Sequence, residues 1–167
     1  MALLAAALVS CSKKDNGMID ESADPAYIGK NNITVQNGRM SPEVLWAFGR
    51  LSDIQLSPDG SKVLYGVQYY SVEKNKSNRE LFVMNVDGSD VQQITKTIKS
   101  EYSARWVKNG EKIAFLTADT AGVVQLWEMN PDGTNRKQVS NIATDVNDYL
   151  YSPDGTKVVL IQNVKVG

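Results

Sequence analysis

The sequence predicts an all-β fold. It is an incomplete β-propeller of about two and a half four-stranded antiparallel blades, preceded by a short helix and a disordered N-terminal tether. Three observations carry the prediction. Ser57-Pro58-Asp59-Gly60 recurs at Ser152-Pro153-Asp154-Gly155, with a degenerate copy at Val107-Lys108-Asn109-Gly110. Each copy runs into Lys and an apolar strand: Lys62-Val63-Leu64-Tyr65, Lys112-Ile113-Ala114-Phe115 and Lys157-Val158-Val159-Leu160. A second signature alternates with the first, Leu81-Phe82-Val83-Met84-Asn85-Val86-Asp87-Gly88 matching Leu126-Trp127-Glu128-Met129-Asn130-Pro131-Asp132-Gly133.

Each signature is turn chemistry. Pro presets φ at the second turn position, Ser and Asp bond nearby backbone, and Gly closes the turn without steric cost. Gly60 to Gly110 is 50 residues, whereas Gly110 to Gly155 and Gly88 to Gly133 are both 45. The extra five residues lie between Gly60 and Gly88, which are 28 apart against 23 in the next repeat. Such a period with four strand-like runs is that of a propeller blade.

In chain order, residues 2–9 form an apolar run of eight ending in Leu8-Val9-Ser10-Cys11. The run is too short to span a bilayer. It resembles a bacterial lipoprotein signal (residues 1–11), with Cys11 as the lipid attachment residue, although no Lys or Arg precedes the run. An inert thiol after a chance apolar start is the alternative. The implied location is the bacterial cell envelope, lipid-anchored or periplasmic. Residues 12–40 read as a flexible polar tether. Residues 41–51 are the short helix and entry: Ser41 as N-cap, Pro42 at the first helical position, Glu43 at the positive helix end, and an apolar face of Val44, Leu45 and Phe48.

The partial propeller spans 52–167, with blades at about 52–97, 102–142 and 147–167, the last incomplete. Expected strands are 53–56, 62–70, 79–85 and 91–95 in blade one, and 103–106, 112–117, 125–130 and 137–140 in blade two. Val63, Tyr65, Phe82 and Met84 correspond to Ile113, Phe115, Trp127 and Met129, and alternation places each set on one pleated face. Ile54 and Leu56 correspond likewise to Ala104 and Trp106. Propellers close with four to eight blades, so the sequence reads as part of a longer protein. Three partial blades completed by another chain are the alternative.

The remaining motifs are mostly excluded. The 167 residues carry 18 basic and 19 acidic side chains, which gives no electrostatic reason to propose nucleic acid as a partner. There is no histidine and one cysteine, so neither a Ser-His-Asp site nor an intrachain disulfide forms within this chain. Ser71-Val72-Glu73-Lys74 fits an S-x-x-K pattern but falls in a hairpin loop. Asp87, Asp90 and Asp132 read as turn residues rather than calcium ligands. Tyr65, Tyr69, Tyr70, Trp106 and Trp127 read as core packing, with an aromatic ligand surface as the alternative. The long loop 70–79 of blade one is a place where recognition could reside. No catalytic, cofactor-binding or metal-ligating residue is assigned, and no cofactor is implied.

Ser41-Pro42-Glu43-Val44-Leu45-Trp46, then Leu51-Ser52-Asp53-Ile54-Gln55-Leu56-Ser57-Pro58-Asp59-Gly60, then residues 80–88 and Gln93-Ile94-Thr95 resemble the start of bacterial prolyl oligopeptidase family serine peptidases, in the dipeptidyl peptidase and acylaminoacyl peptidase-like subgroup. The resemblance covers residues 40–167. It implies a propeller that caps a C-terminal α/β-hydrolase domain, admits peptides and excludes folded proteins. The catalytic Ser, Asp and His of that family lie in the hydrolase domain and match no position here. Exopeptidase members hold the substrate's amino end with acidic residues of the propeller region. No motif assigns that role to Glu43, Glu73 or Glu80. A TolB-like binding propeller without enzymatic activity is the alternative, because its repeats are similar.

Overall fold

The computed structural model describes residues 17–163; Cys11 and the rest of the lipoprotein-type segment lie outside them. Among the described residues, ten strands follow one six-residue α-helix. Blade one is β1 (Arg50–Leu56), β2 (Lys62–Ser71), β3 (Lys76–Asn85) and β4 (Gln92–Gln93), hydrogen-bonded in that order. Blade two repeats the pattern with β5 (Tyr102–Val107), β6 (Lys112–Ala118), β7 (Val124–Met129) and β8 (Lys137–Gln138). The third blade contributes β9 (Val146–Tyr151) and β10 (Val158–Gln162). All pairs are antiparallel. This is the partial propeller that the repeats predict.

The turns are built as their residues dictate. Ser57 Oγ accepts the Lys62 amide at 2.9 Å and donates to Asp59, whose carboxylate also takes the Ser61 amide at 3.1 Å. The same bonds recur at Ser152, Asp154 and Lys157. Gly60 has φ +72°, a left-handed conformation that glycine adopts without penalty. One repeated feature carries no glycine. Asp53 and Ser103 both have φ near +50° and mark bulges in β1 and β5, where the register against β2 and β6 slips.

The expected faces are present. Val63 opposes Met84 and Tyr65 opposes Phe82, while Ile113 opposes Met129 and Phe115 opposes Trp127. Opposed residues share a face. In blade two this face is buried: Ile113, Phe115 and Met129 pack against Leu64, Leu81, Val83 and Ile94 from the far face of blade one. The far face of blade two, Ala114, Leu116 and Leu126, packs in turn on Val146 and Tyr149. The corresponding near face of blade one is covered only in part: Ile28 packs on Val67 and Tyr69, while Leu51, Ile54, Val63, Tyr65 and Met84 line a shallow apolar hollow. Ile54 and Leu56 are exposed for the same reason.

Two differences from the sequence reading appear before blade one. The helix α1 (Pro42–Ala47) is capped by Ser41 as expected, with Oγ accepting the Val44 amide at 3.3 Å, but only Val44 of its apolar face is buried. Leu45 and Phe48 face outward because the helix meets the sheet through one turn. Second, part of the stretch read as a tether is docked. Asp20 joins Lys96 by a parallel bridge and by a 3.1 Å ion pair, Glu21 accepts the Ile98 amide at 2.8 Å, and Ile28 is buried against Val67 and Tyr69.

Candidate functional site

The groove between α1 and the β2–β3 hairpin gathers the recognition chemistry. The hairpin is long: ten residue pairs run from Lys62↔Asn85 to Ser71↔Lys76, against six in the β6–β7 pair. The five inserted residues therefore extend blade one beyond its neighbour. Its tip is a tight turn, with the Asn75 amide on Val72 O and the Lys74 amide on Ser71 Oγ at 3.1 Å. Lys74 Nζ reaches Pro25 O and Tyr27 O of the N-terminal segment. Ser71 and Lys74 thus complete a turn rather than a nucleophile–base pair.

Gly49 lets α1 approach β2 closely, since a Cβ there would lie 2.5 Å from Val67 Cγ1. That approach sets Trp46 edge-on to Tyr70 at 5.5 Å between ring centroids. The Arg50 guanidinium lies over both rings, 4.3 Å from Tyr70 and 5.0 Å from Trp46. Asn31 Nδ2 donates to Tyr70 O at 2.9 Å and holds the end of β2. Two adjoining hollows share Trp46 and Tyr70 as their floor. One, of about 450 Å³, also carries Glu43 and Glu73; the other, of about 380 Å³, carries Asn75 and Lys76. The Glu43 carboxyl is held below its ordinary value by its hydrogen bond with Ser41, so it is anionic at neutral pH. An aromatic floor with carboxylates at one side suits a ligand that presents an apolar body and a cationic end.

The structure separates the three acidic residues that the motifs left unassigned. Glu43 and Glu73 share the groove, whereas Glu80 is fully buried beneath the sheet and faces no ligand surface. Among the aromatic residues, Tyr69 is buried, Tyr65 stacks on Phe82, and Trp106 and Trp127 pack on the interblade core. Tyr70 alone of that set lines the groove. Asp87 and Asp132 commit their carboxylates to the Ser89 and Thr134 amides of their own turns, as turn residues do. Sequence reasoning missed Arg50 and Asn31. Arg50 opens β1 four residues after Trp46, and that spacing was the available signal.

Comparison with known proteins places this geometry. No family model matches the chain. Curated relatives do, among them dipeptidyl-peptidase 5 of Porphyromonas endodontalis, 38% identical over 133 residues, and dipeptidyl-peptidase 5 of Porphyromonas gingivalis, 42% identical over 128 residues. Over these stretches the chain is similar to the two peptidases. The matches take in 80% and 77% of this chain but only 19% of each relative's length. Solved structures show the same fold. An acylaminoacyl peptidase in complex with a chloromethyl ketone superposes with a TM-score of 0.58 at 19% identity, over 70% of this chain and 18% of that one. The β-propeller domain of the trilobed protease from Pyrococcus furiosus gives 0.54 at 21% identity, over 68% of this chain and 34% of that one.

Proposed function

We propose that this propeller region is the non-catalytic portion of a serine peptidase that hydrolyses short peptides, where it filters substrates by size and gates access to an α/β-hydrolase domain. The observation that carries the reading is the 38–42% identity to two dipeptidyl peptidases across the blades and the helix that precedes them. The physical mechanism is steric: stacked blades that close a ring leave a narrow channel, and a peptide passes where a folded protein cannot. The groove adds a contact for the peptide itself. Glu43 and Glu73 supply negative charge for a free α-amino group, and Trp46 and Tyr70 supply a surface for the adjoining side chain. The same reading carries the lipid anchor: Cys11 attaches the protein to a membrane of the bacterial envelope, and peptides reaching the cell surface are its substrates.

The test is labelling of the full-length protein with a serine-directed fluorophosphonate, followed by digestion of peptides of increasing length. The expected result is covalent labelling and a rate that falls steeply with length. A full-length product that is never labelled and releases no peptide overturns the proposal. The anchor is tested separately. Cys11→Ser is expected to move the protein from the membrane fraction to the soluble fraction, and unchanged partition refutes it.

A further inference from the structure

The two blades make the same internal strap with different chemistry. In blade two, Gln125 on β7 closes the connection that follows β8. Its Oε1 accepts the Ser140 hydroxyl at 2.7 Å and the Ile142 amide at 3.2 Å, and its Nε2 donates to Ile142 O at 2.8 Å. Ser140 Oγ in turn accepts the Leu126 amide at 2.8 Å. Forty-five residues earlier each of these partners has its counterpart, and the glutamine is a glutamate. Glu80 on β3 bonds the Thr95 hydroxyl at 2.7 Å and the Thr97 amide at 3.2 Å, and Thr95 Oγ1 accepts the Leu81 amide at 2.8 Å. The donor that an acid lacks comes from Asn78, whose Nδ2 reaches both Glu80 Oε1 and Thr97 O at 2.7 Å.

The seams that follow the two straps differ in the same sense. Where the seam between blades two and three has buried Val146, the seam between blades one and two has Glu101, also fully buried. Glu101 Oε1 accepts Arg136 at 2.8 Å and the Thr97 hydroxyl at 2.7 Å, while its Oε2 is a buried atom without a partner. Thr97 therefore touches both acids, by its amide and by its hydroxyl. Arg136 also covers the Phe115 and Trp127 rings, which ties Glu101 to the face of blade two. Of the two buried carboxyls only Glu101 has a cation, Arg136, so ionising Glu80 as well leaves an uncompensated charge in the core.

We propose that Glu80 and Glu101 hold a single proton between them, with Glu80 the neutral acid in a glutamine's place and Glu101 the anion that grips Arg136, and that this pair is a proton-dependent latch between blades one and two. The proton on Glu80 leaves its carboxyl uncharged, as the glutamine is, with Oε2 2.7 Å from Thr95 Oγ1 and Oε1 still accepting from Asn78 and the Thr97 amide. Its loss sets two like charges on either side of Thr97 and loosens the seam. The groups that bond or bear on the pair fit this assignment. Asn78 on β3 and Thr95 and Thr97 in the connection are neutral, Tyr69 on β2 and Tyr27 of the N-terminal segment are neutral phenols, and Arg136 is committed to Glu101. Burial, reinforced by the charge of Glu101, pushes the Glu80 carboxyl up to about 9, and burial also raises Glu101, opposed by Arg136.

The sign follows from linkage. Glu80 is raised from 4.5 to about 9, so its contribution to stability is complete below 4.5, is lost progressively as pH rises, and is gone above about 9. The folding equilibrium weakens by up to about tenfold per pH unit in that window.

The experiment compares the intact protein with Glu80→Gln, by chemical denaturation at successive pH values and by infrared spectroscopy of the carboxyl C=O stretch. The expected result is a neutral-acid band at pH 7 that disappears in Glu80→Gln, and a variant whose advantage over the parent grows from pH 5 to pH 9. Glu101→Gln removes the like charge, and there the Glu80 band is expected to fade at lower pH than in the parent. The latch is overturned by the absence of a neutral-acid band at pH 7, by parallel stability profiles of the parent and Glu80→Gln, or by an unmoved Glu80 titration in Glu101→Gln. None of these outcomes depends on whether the protein is a peptidase.

Discussion

Replacing Phe115 and Tyr65 by alanine, one at a time, tests the stacking of the blades with an internal control. The two residues occupy the same place in successive repeats, each at the second pair of a β-hairpin face. Phe115 is fully buried between blades one and two, and Arg136 lies 4.9 Å over its ring. Deleting a buried phenyl ring costs about 3–5 kcal/mol through lost transfer energy and the cavity left behind. Arg136 keeps its ion pair with Glu101 in the variant, so no further charge is orphaned. Tyr65 is only half-buried, on the partly covered face of blade one beside Ile28, and it stacks on Phe82 at 5.5 Å. Half the burial and one aromatic contact are worth about 1–2 kcal/mol. Urea unfolding reads the difference directly. With a slope of about 2 kcal/mol per molar, Phe115→Ala lowers the midpoint by about 2 M and Tyr65→Ala by less than about 1 M. In a longer protein whose ring closes over blade one, Tyr65 gains the neighbour that Phe115 already has, and its cost rises to match. Equal costs in this chain, or a Phe115→Ala loss below about 1.5 kcal/mol, refute the assignment of the interblade core.

Three further predictions use the same repeat logic. Gly133→Ala is severely destabilising, because φ is +83° and the new Cβ would sit 2.2 Å from Ile94 O. Gly88→Ala, the equivalent turn position with φ +84° and open space around it, loses only about 1–2 kcal/mol of backbone strain by thermal unfolding. Tyr149→Phe removes the hydroxyl shared between Ser103 O and Ala114 O, each at 2.7 Å. It costs about 1–2 kcal/mol and raises hydrogen exchange of the β9 amides more than those of blade one. Glu73→Gln in the groove leaves the unfolding midpoint unchanged, and Glu43→Gln lowers it slightly, because it gives up the charge in the first turn of α1. Under the proposed function, both raise KM of the full-length protein for peptides with a free amino end and spare peptides whose amino end is blocked.

Legibility in the sequence follows the range of the interaction. The SPDG turns were legible because their bonds are made within five residues, as from Ser57 to Lys62. The blade faces were legible because alternation and a 45-residue offset are both one-dimensional. The helix cap was legible for the same reason, but its buried face was not: how many turns of α1 touch the sheet depends on the approach at Gly49, and Leu45 and Phe48 remain outside. The docking of residues 20–31 left no periodic trace, since one isoleucine at position 28 and a few side-chain bonds hold it. The groove was half legible. The five inserted residues located the hairpin, but its pairing with Trp46 and Arg50 is tertiary.

Glu80 shows how a repeat exposes what composition hides. Read alone, an acid between Arg79 and Leu81 is a surface residue of an edge-facing strand, and its charge is ordinary. Read against its repeat mate, it occupies a buried site where Gln125 accepts from the equivalent hydroxyl and amide without charge, and where Asn78 takes over the bond that Gln125 donates. The hydrogen-bond pattern, not the residue type, is what the fold retains. An amide fills the site without charge at every pH, whereas a carboxyl does so only while it keeps its proton. The substitution therefore changes nothing about the shape of the blade and makes the seam beside it responsive to protons. By the same logic Gln125→Glu transfers the response: Val146 supplies no second charge, so the introduced neutral acid titrates below Glu80. Titration of the introduced carboxyl at or above that of Glu80 would show that burial alone, without Glu101, accounts for the proton held in blade one.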